Sequence, residues 1–187
     1  MPIGTWRVEL RDWIVRCLAL AAAALSLTGC DYFSDVVVPA TDHAAPDAIT
    51  GVYDPIDGKY VALKFGDPLA FDVSDPGKTY LAIAAALDGG GAKRVTISGT
   101  LTMECHRGDI GEIQTQEFAP KTETQRGAVG STVSNGVWTY FSIRFDMDAV
   151  CETGFTLDRE IFEWTTEAED FHGNVATSNG SMEYMPQ

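Results

Sequence analysis

The chain has 187 residues, with 27 acidic side chains against 13 basic ones and a formal charge of −14. That balance excludes the phosphate backbone of nucleic acid and anionic lipid headgroups as recognition targets, because both are bound by clustered Lys and Arg. The acidic residues are scattered along the chain and not gathered into one block, which is the pattern of a solvated surface.

In chain order, the first element is an export signal. Arg7, Arg11 and Arg16 flank an apolar run from Leu18 to Leu27, well short of the roughly 20 residues that a membrane-crossing helix needs. A basic start, a short apolar core and a small residue at the cut are the parts of a secretory signal peptide. The four residues Leu27, Thr28, Gly29 and Cys30 resemble the bacterial lipobox, an apolar residue and two small ones before a cysteine. The resemblance implies that the Cys30 thiol receives a diacylglyceryl group, that the chain is cut before it and that the new amino end is acylated. Acyl chains supply about 0.8 kcal/mol per buried methylene, so two or three such chains hold a protein durably on a membrane. The expected location is therefore exported and lipid-anchored to a bacterial membrane, on its periplasmic or cell-surface face. Asp31 resembles the residue that marks inner-membrane retention in some Gram-negative bacteria. Removing residues 1–29 takes away three basic and two acidic side chains (Glu9 and Asp12), leaving ten basic and 25 acidic ones and a formal charge of −15.

Residues 30–48 read as a flexible tether. They are polar or small, contain Pro39 and Pro46, and hold one short apolar cluster at Val36, Val37 and Val38; proline-containing segments of this kind stay extended and act as spacers. Residues 49–187 have the length of one domain. Five stretches carry β-branched and aromatic residues with runs of alternation: LAFDV (69–73), TYLAIAAAL (79–87), RVTISGTLTM (94–103), VWTYFSIRF (137–145) and EIFEWTTEA (160–168). Gly- and Pro-containing turns separate them. In the last stretch Phe162, Trp164, Thr166 and Ala168 form the core face, and Glu163, Thr165 and Glu167 the wet face. Residues 106–136 read as a long polar segment without a strand. The expected fold is all-β, an antiparallel β-sandwich.

Both ends of the domain resemble bacterial immunoglobulin-like domains. At the opening the resemblance rests on Asp42, Pro46, Gly66, Pro68, Phe71, Val73 and Asp75; at the close it rests on Ala168, Asp170, Gly173, Asn174 and Ala176. It covers residues 41–77 and 160–184, and implies an immunoglobulin-like sandwich used for adhesion, spacing or interaction, with no catalytic residue to carry over. In the closing turn, Gly and Asn accept positive φ and an Asp before them can bond the turn backbone.

Once Cys17 leaves with the signal and Cys30 is lipidated, Cys105 and Cys151 remain, and export makes a disulfide between them the default. The bond is expected to tie loops at one end of the sandwich and to stabilise by roughly 3 to 4 kcal/mol in the chain-entropy model. The histidines are His43 in the tether, His106 beside Cys105 and His172 in a turn, the last expected to be solvated. No Gly-x-Ser-x-Gly elbow, phosphate-cradling glycine loop or His-Glu-x-x-His pair is present, so neither a catalytic residue nor a cofactor is expected. Calcium is the minor ligand hypothesis: Asp54 with Asp57, Asp72 with Asp75, Asp146 with Asp148, and the group Glu167, Glu169, Asp170 and Asn174 place oxygen ligands at loop spacings, but solvated turn carboxylates are the favoured reading. The Arg-Gly-Asp at Arg107 matches an integrin ligand over three residues only, a length that recurs by chance. The favoured function is a lipid-anchored interaction or structural module of the cell envelope, contacting an envelope protein through a sandwich edge or the segment 106–136; the alternative is an envelope lipoprotein that binds a small ligand or calcium.

Overall fold

The computed structural model describes residues 33–75, 77–145, 151 and 153–186. The proposed signal peptide and lipobox, Leu27 to Cys30, and the Asp146 and Asp148 pair lie outside them. Among the described residues there is no helix, and so none long and apolar enough to cross a membrane.

Among the described residues eleven strands build the domain: β1 (Asp35–Val37), β2 (Asp47–Asp54), β3 (Lys59–Phe65), β4 (Leu69–Asp72), β5 (Thr79–Leu87), β6 (Ala92–Arg107), β7 (Ile110–Thr124), β8 (Thr132–Ser134), β9 (Gly136–Arg144), β10 (Thr156–Asp170) and β11 (Val175–Tyr184). They form a five-stranded sheet in the order β4-β11-β10-β6-β7, a four-stranded sheet in the order β3-β2-β5-β9, and a two-stranded β1-β8 ribbon. The two larger sheets share one core, in which Ala82, Ala84, Ala86, Phe141 and Ile143 of one meet Val95, Ile97, Phe162, Trp164 and Met182 of the other. This is an all-β sandwich. It is mixed and not wholly antiparallel, because the short edge strand β4 runs parallel to β11.

Strand β5 spans the residues expected of it. Its sequence is apolar without alternation because both faces are covered: Ala82, Ala84 and Ala86 face the shared core, while Leu81 and Ile83 lie under Tyr53, Tyr60, Trp138 and Tyr140 on the outer face of the four-stranded sheet. A run of this kind is the signature of a strand buried on both sides. In β10 the alternation is as expected, with Phe162, Trp164, Thr166 and Ala168 buried and Glu163 and Thr165 exposed.

Three further features differ from the sequence expectation. The segment 106–136 is no loop: it contains the 15-residue strand β7, which pairs with β6 from Arg107 and Ile110 at the turn to Arg94 and Thr124. As an edge strand with little of either face buried, β7 needs no alternating apolar residues, so periodicity could not find it. Within residues 33–48 the chain does not stand free, since β1 pairs with β8, Val38 is buried, and the Val38 N–H and carbonyl bond to Ser131 and Gly130. The third difference is at the disulfide. Cys105 and Cys151 are joined, with Cα atoms 5.9 Å apart, but Cys105 sits within β6 opposite Glu112 and Leu157. The bond therefore fastens a central strand to the chain that leads into β10.

Candidate functional site

Acidic groups converge at the end of the sandwich that carries the β10–β11 turn. Asp170 closes β10 and is buried. Its Oδ1 accepts the backbone N–H groups of His172 (2.8 Å) and Asn174 (2.9 Å), and its Oδ2 accepts Asn174 Nδ2 (2.6 Å). Gly173, at φ 84°, supplies the left-handed step between them. Asn174 Nδ2 also donates to the carbonyl of Asp42 (3.2 Å), which fastens the leading segment of the domain to its closing turn.

Asp42 is partly buried, and its Oδ1 accepts the Ala44 N–H (2.9 Å). The glycine run that follows β5 makes room for it: a Cβ on Gly90 would stand 2.6 Å from Asp42 Oδ2 and 3.2 Å from Asp88 Oδ1. Asp88 is itself buried and accepts the Gly90 N–H (2.6 Å). Burial pushes its carboxyl above the usual carboxylate range, the Gly90 bond opposes that, and the charges of Asp42, Asp170 and Asp47 push it further up. One ligand atom each from Asp42, Asp170 and His172 lie within 4.8 Å of one another. His172 is not simply solvated as expected: its side chain is partly buried, and Nε2 is shut off from solvent with no hydrogen-bond partner among the described residues.

The other acidic groups named from the sequence have different partners. Burial works to raise the Asp54 carboxyl, but its bond to Lys78 and the Asp57 and Ile56 N–H groups hold it below the usual range. Asp57 faces Lys59 and Lys78, both at 3.6 Å. Glu167 and Glu169 pair with Arg94 at 3.2 and 2.6 Å, and Glu169 also with Lys93 at 2.6 Å. Asp72 and Asp75 are exposed. Of the group Glu167, Glu169, Asp170 and Asn174, only the last two meet at the turn. His43 is exposed, and His106 Nδ1 faces Asp158. Arg107 lies over the Phe155 ring, 4.8 Å from its centroid. Sequence reasoning missed His172 and Asp42 as neighbours, because nothing local signals a contact between segments this far apart in the chain.

A second feature is the free side of β7. This strand ends the five-stranded sheet, and among the described residues no strand pairs with its outer edge. Pro120 and the bulge between the Ile97 and Gly99 pairings interrupt its far half, which leaves Ile110 to Phe118 as an open, proline-free edge. Ile110 and Ile113 are 56% and 68% exposed there, beside Asp109, Glu112 and Glu117. Past the bulge, Lys121 donates to the Tyr140 carbonyl (3.1 Å) and lies over the Tyr140 ring, which ties the far half of β7 to β9 beside the aromatic outer face of the four-stranded sheet. On that face Trp138 and Tyr140 stack at 5.8 Å and Tyr53 meets Tyr60 edge-on at 5.3 Å, while Leu63 and Phe65 are exposed.

No protein-family model matches the chain, and no curated protein matches it in sequence. Among solved structures, the crystal structure of Spo0M, a sporulation control protein from Bacillus subtilis, is similar over 78% of this chain and 51% of that one, with 10% sequence identity and a TM-score of 0.35. The chain thus spans about half the length of that structure.

Proposed function

We propose that the protein is a lipid-anchored interaction module of a bacterial envelope, attached through Cys30 and docking an extended segment of an envelope protein along β7. The observation that carries this reading is the open edge from Ile110 to Phe118. Unpaired edges are a liability that proteins ordinarily blunt with short strands, prolines, charges or cover. Here nine residues stay open, with two large exposed isoleucines. Backbone bonds along such an edge supply affinity, and alternate side chains supply specificity. The carboxylates along β7 and the overall acidity favour a partner segment that is basic. The immunoglobulin-like reading of the sandwich rests on the sequence resemblance at its two ends and accords with a role in contact and spacing, not chemistry.

The test is an Ile110→Lys, Ile113→Lys double variant, isolated beside the wild type from solubilised membranes of the producing cell. Both positions are exposed, so the change should move stability by no more than about 0.5 kcal/mol each. The expected result is a stoichiometric protein partner with the wild type and its loss with the variant. Equal recovery from both would refute the β7 assignment.

A further inference from the structure

We propose that Asp42, Asp170 and His172 form a binding site for a divalent transition-metal ion of the zinc class, which clamps the leading segment of the domain to the β10–β11 turn. The proposal does not depend on the docking role of β7. Three observations carry it. The ligand atoms of the three residues already lie within 4.8 Å of one another, and Zn²⁺ bonds to carboxylate oxygen and imidazole nitrogen of about 2.0–2.2 Å require only a further contraction. Asp42 and His172 are only partly buried, Asp42 carrying a single bond from the Ala44 N–H, whereas Asp170 is fixed by three hydrogen bonds. The second observation is His172 Nε2, a buried nitrogen without a hydrogen-bond partner among the described residues; a polar atom left so is costly and calls for an occupant. The third is Gly90, whose missing side chain leaves the space in which Asp42 Oδ2 sits.

Two carboxylates with one imidazole suit a borderline ion. A hard cation such as Ca²⁺ takes six to eight oxygen ligands and has little use for the nitrogen. The ion would also offset the mutual repulsion of Asp42 and Asp170. Its structural consequence is a bridge across a long stretch of sequence, parallel to the Asn174 bond to Asp42.

The full-length protein, purified in detergent and stripped of metal, is titrated with Zn²⁺ by calorimetry and its thermal unfolding is followed with and without the ion. The expected result is one equivalent bound, a higher melting temperature with Zn²⁺, and no displacement by millimolar Ca²⁺. Asp42→Asn and His172→Gln should each weaken Zn²⁺ binding by more than the roughly tenfold that losing a ligand's supporting partner costs, with metal-free melting temperatures near that of the wild type. Asp170 is left intact because its carboxylate also holds the turn. Absence of a one-equivalent site, displacement by Ca²⁺, or variants that bind Zn²⁺ as tightly as the wild type would overturn the proposal.

Discussion

Trp164 lies between two glycines in the centre of the five-stranded sheet, opposite Gly180 on β11 and Gly99 on β6. Its indole covers Gly180: a Cβ added there would stand 2.3 to 2.6 Å from three indole atoms. The ring has little room to retreat, since it is 2% exposed and stacks on Phe162 at 5.7 Å. Phe162 is held in turn by Phe118 and Phe141 at 5.3 and 6.0 Å. Gly180→Ala therefore overpacks the core, at a cost of about 1–3 kcal/mol. Stiffening of the unfolded chain returns about 0.4–1 kcal/mol. At the middle of both ranges the net loss is about 1.3 kcal/mol, a fall in melting temperature of roughly 3 to 5 °C for a domain of this size, measured by circular dichroism. Gly89→Ala is the control, because nothing lies within 4 Å of its added Cβ and its φ is not positive; it should melt with the wild type or slightly above. A double-mutant cycle sharpens the test: Trp164→Phe, which trims the ring, should partly relieve Gly180→Ala, so that the two losses are less than additive. If Gly180→Ala melts with the wild type, the packing of the indole over this glycine is wrong.

Asp54→Asn keeps an acceptor for the turn N–H groups and removes the charge facing Lys78. Because the folded Asp54 carboxyl is held below its unfolded value of about 3.9, its stabilisation is complete above that pH and is lost as pH falls through the lower folded value. The variant should melt below the wild type at pH 7 and the gap should close in acid; a gap independent of pH would contradict the ion pair. The Cys105–Cys151 bond closes a 46-residue separation, and replacing both cysteines by alanine should cost roughly 4 kcal/mol in chemical denaturation. Intact-mass analysis should likewise find neither thiol alkylated without prior reduction, and labelling of either would contradict the pairing. Cys30→Ser should move the protein from the membrane to the soluble envelope fraction; tight membrane association of that variant would refute the lipid anchor.

What was legible in the sequence follows from burial. The bounds of β5 were readable because both its faces are covered, so its apolar run is unbroken between turn residues. The core face of β10 was readable because one face only is covered, giving strict alternation from Phe162 to Ala168. Strand β7 was not readable, since little of either of its faces is buried and its polar sequence is what an exposed edge permits. β1 and β8 are three residues each, too short for any period. The hydrogen-bonding role of Asp170 in the closing turn was legible because turn chemistry is local. Its meeting with Asp42 and His172 was not: Asp42 arrives from the opposite end of the domain, and only the completed fold brings it there.

The central claim is that β7 is the docking edge. A photoreactive amino acid placed at position 113 on β7, or at position 64 on the exposed part of β3 as comparison, is activated in intact cells of the producing species and the adducts are identified. A single envelope protein crosslinked from position 113 and absent from position 64 is the predicted result. An adduct that forms from position 64 and not from position 113 would contradict it.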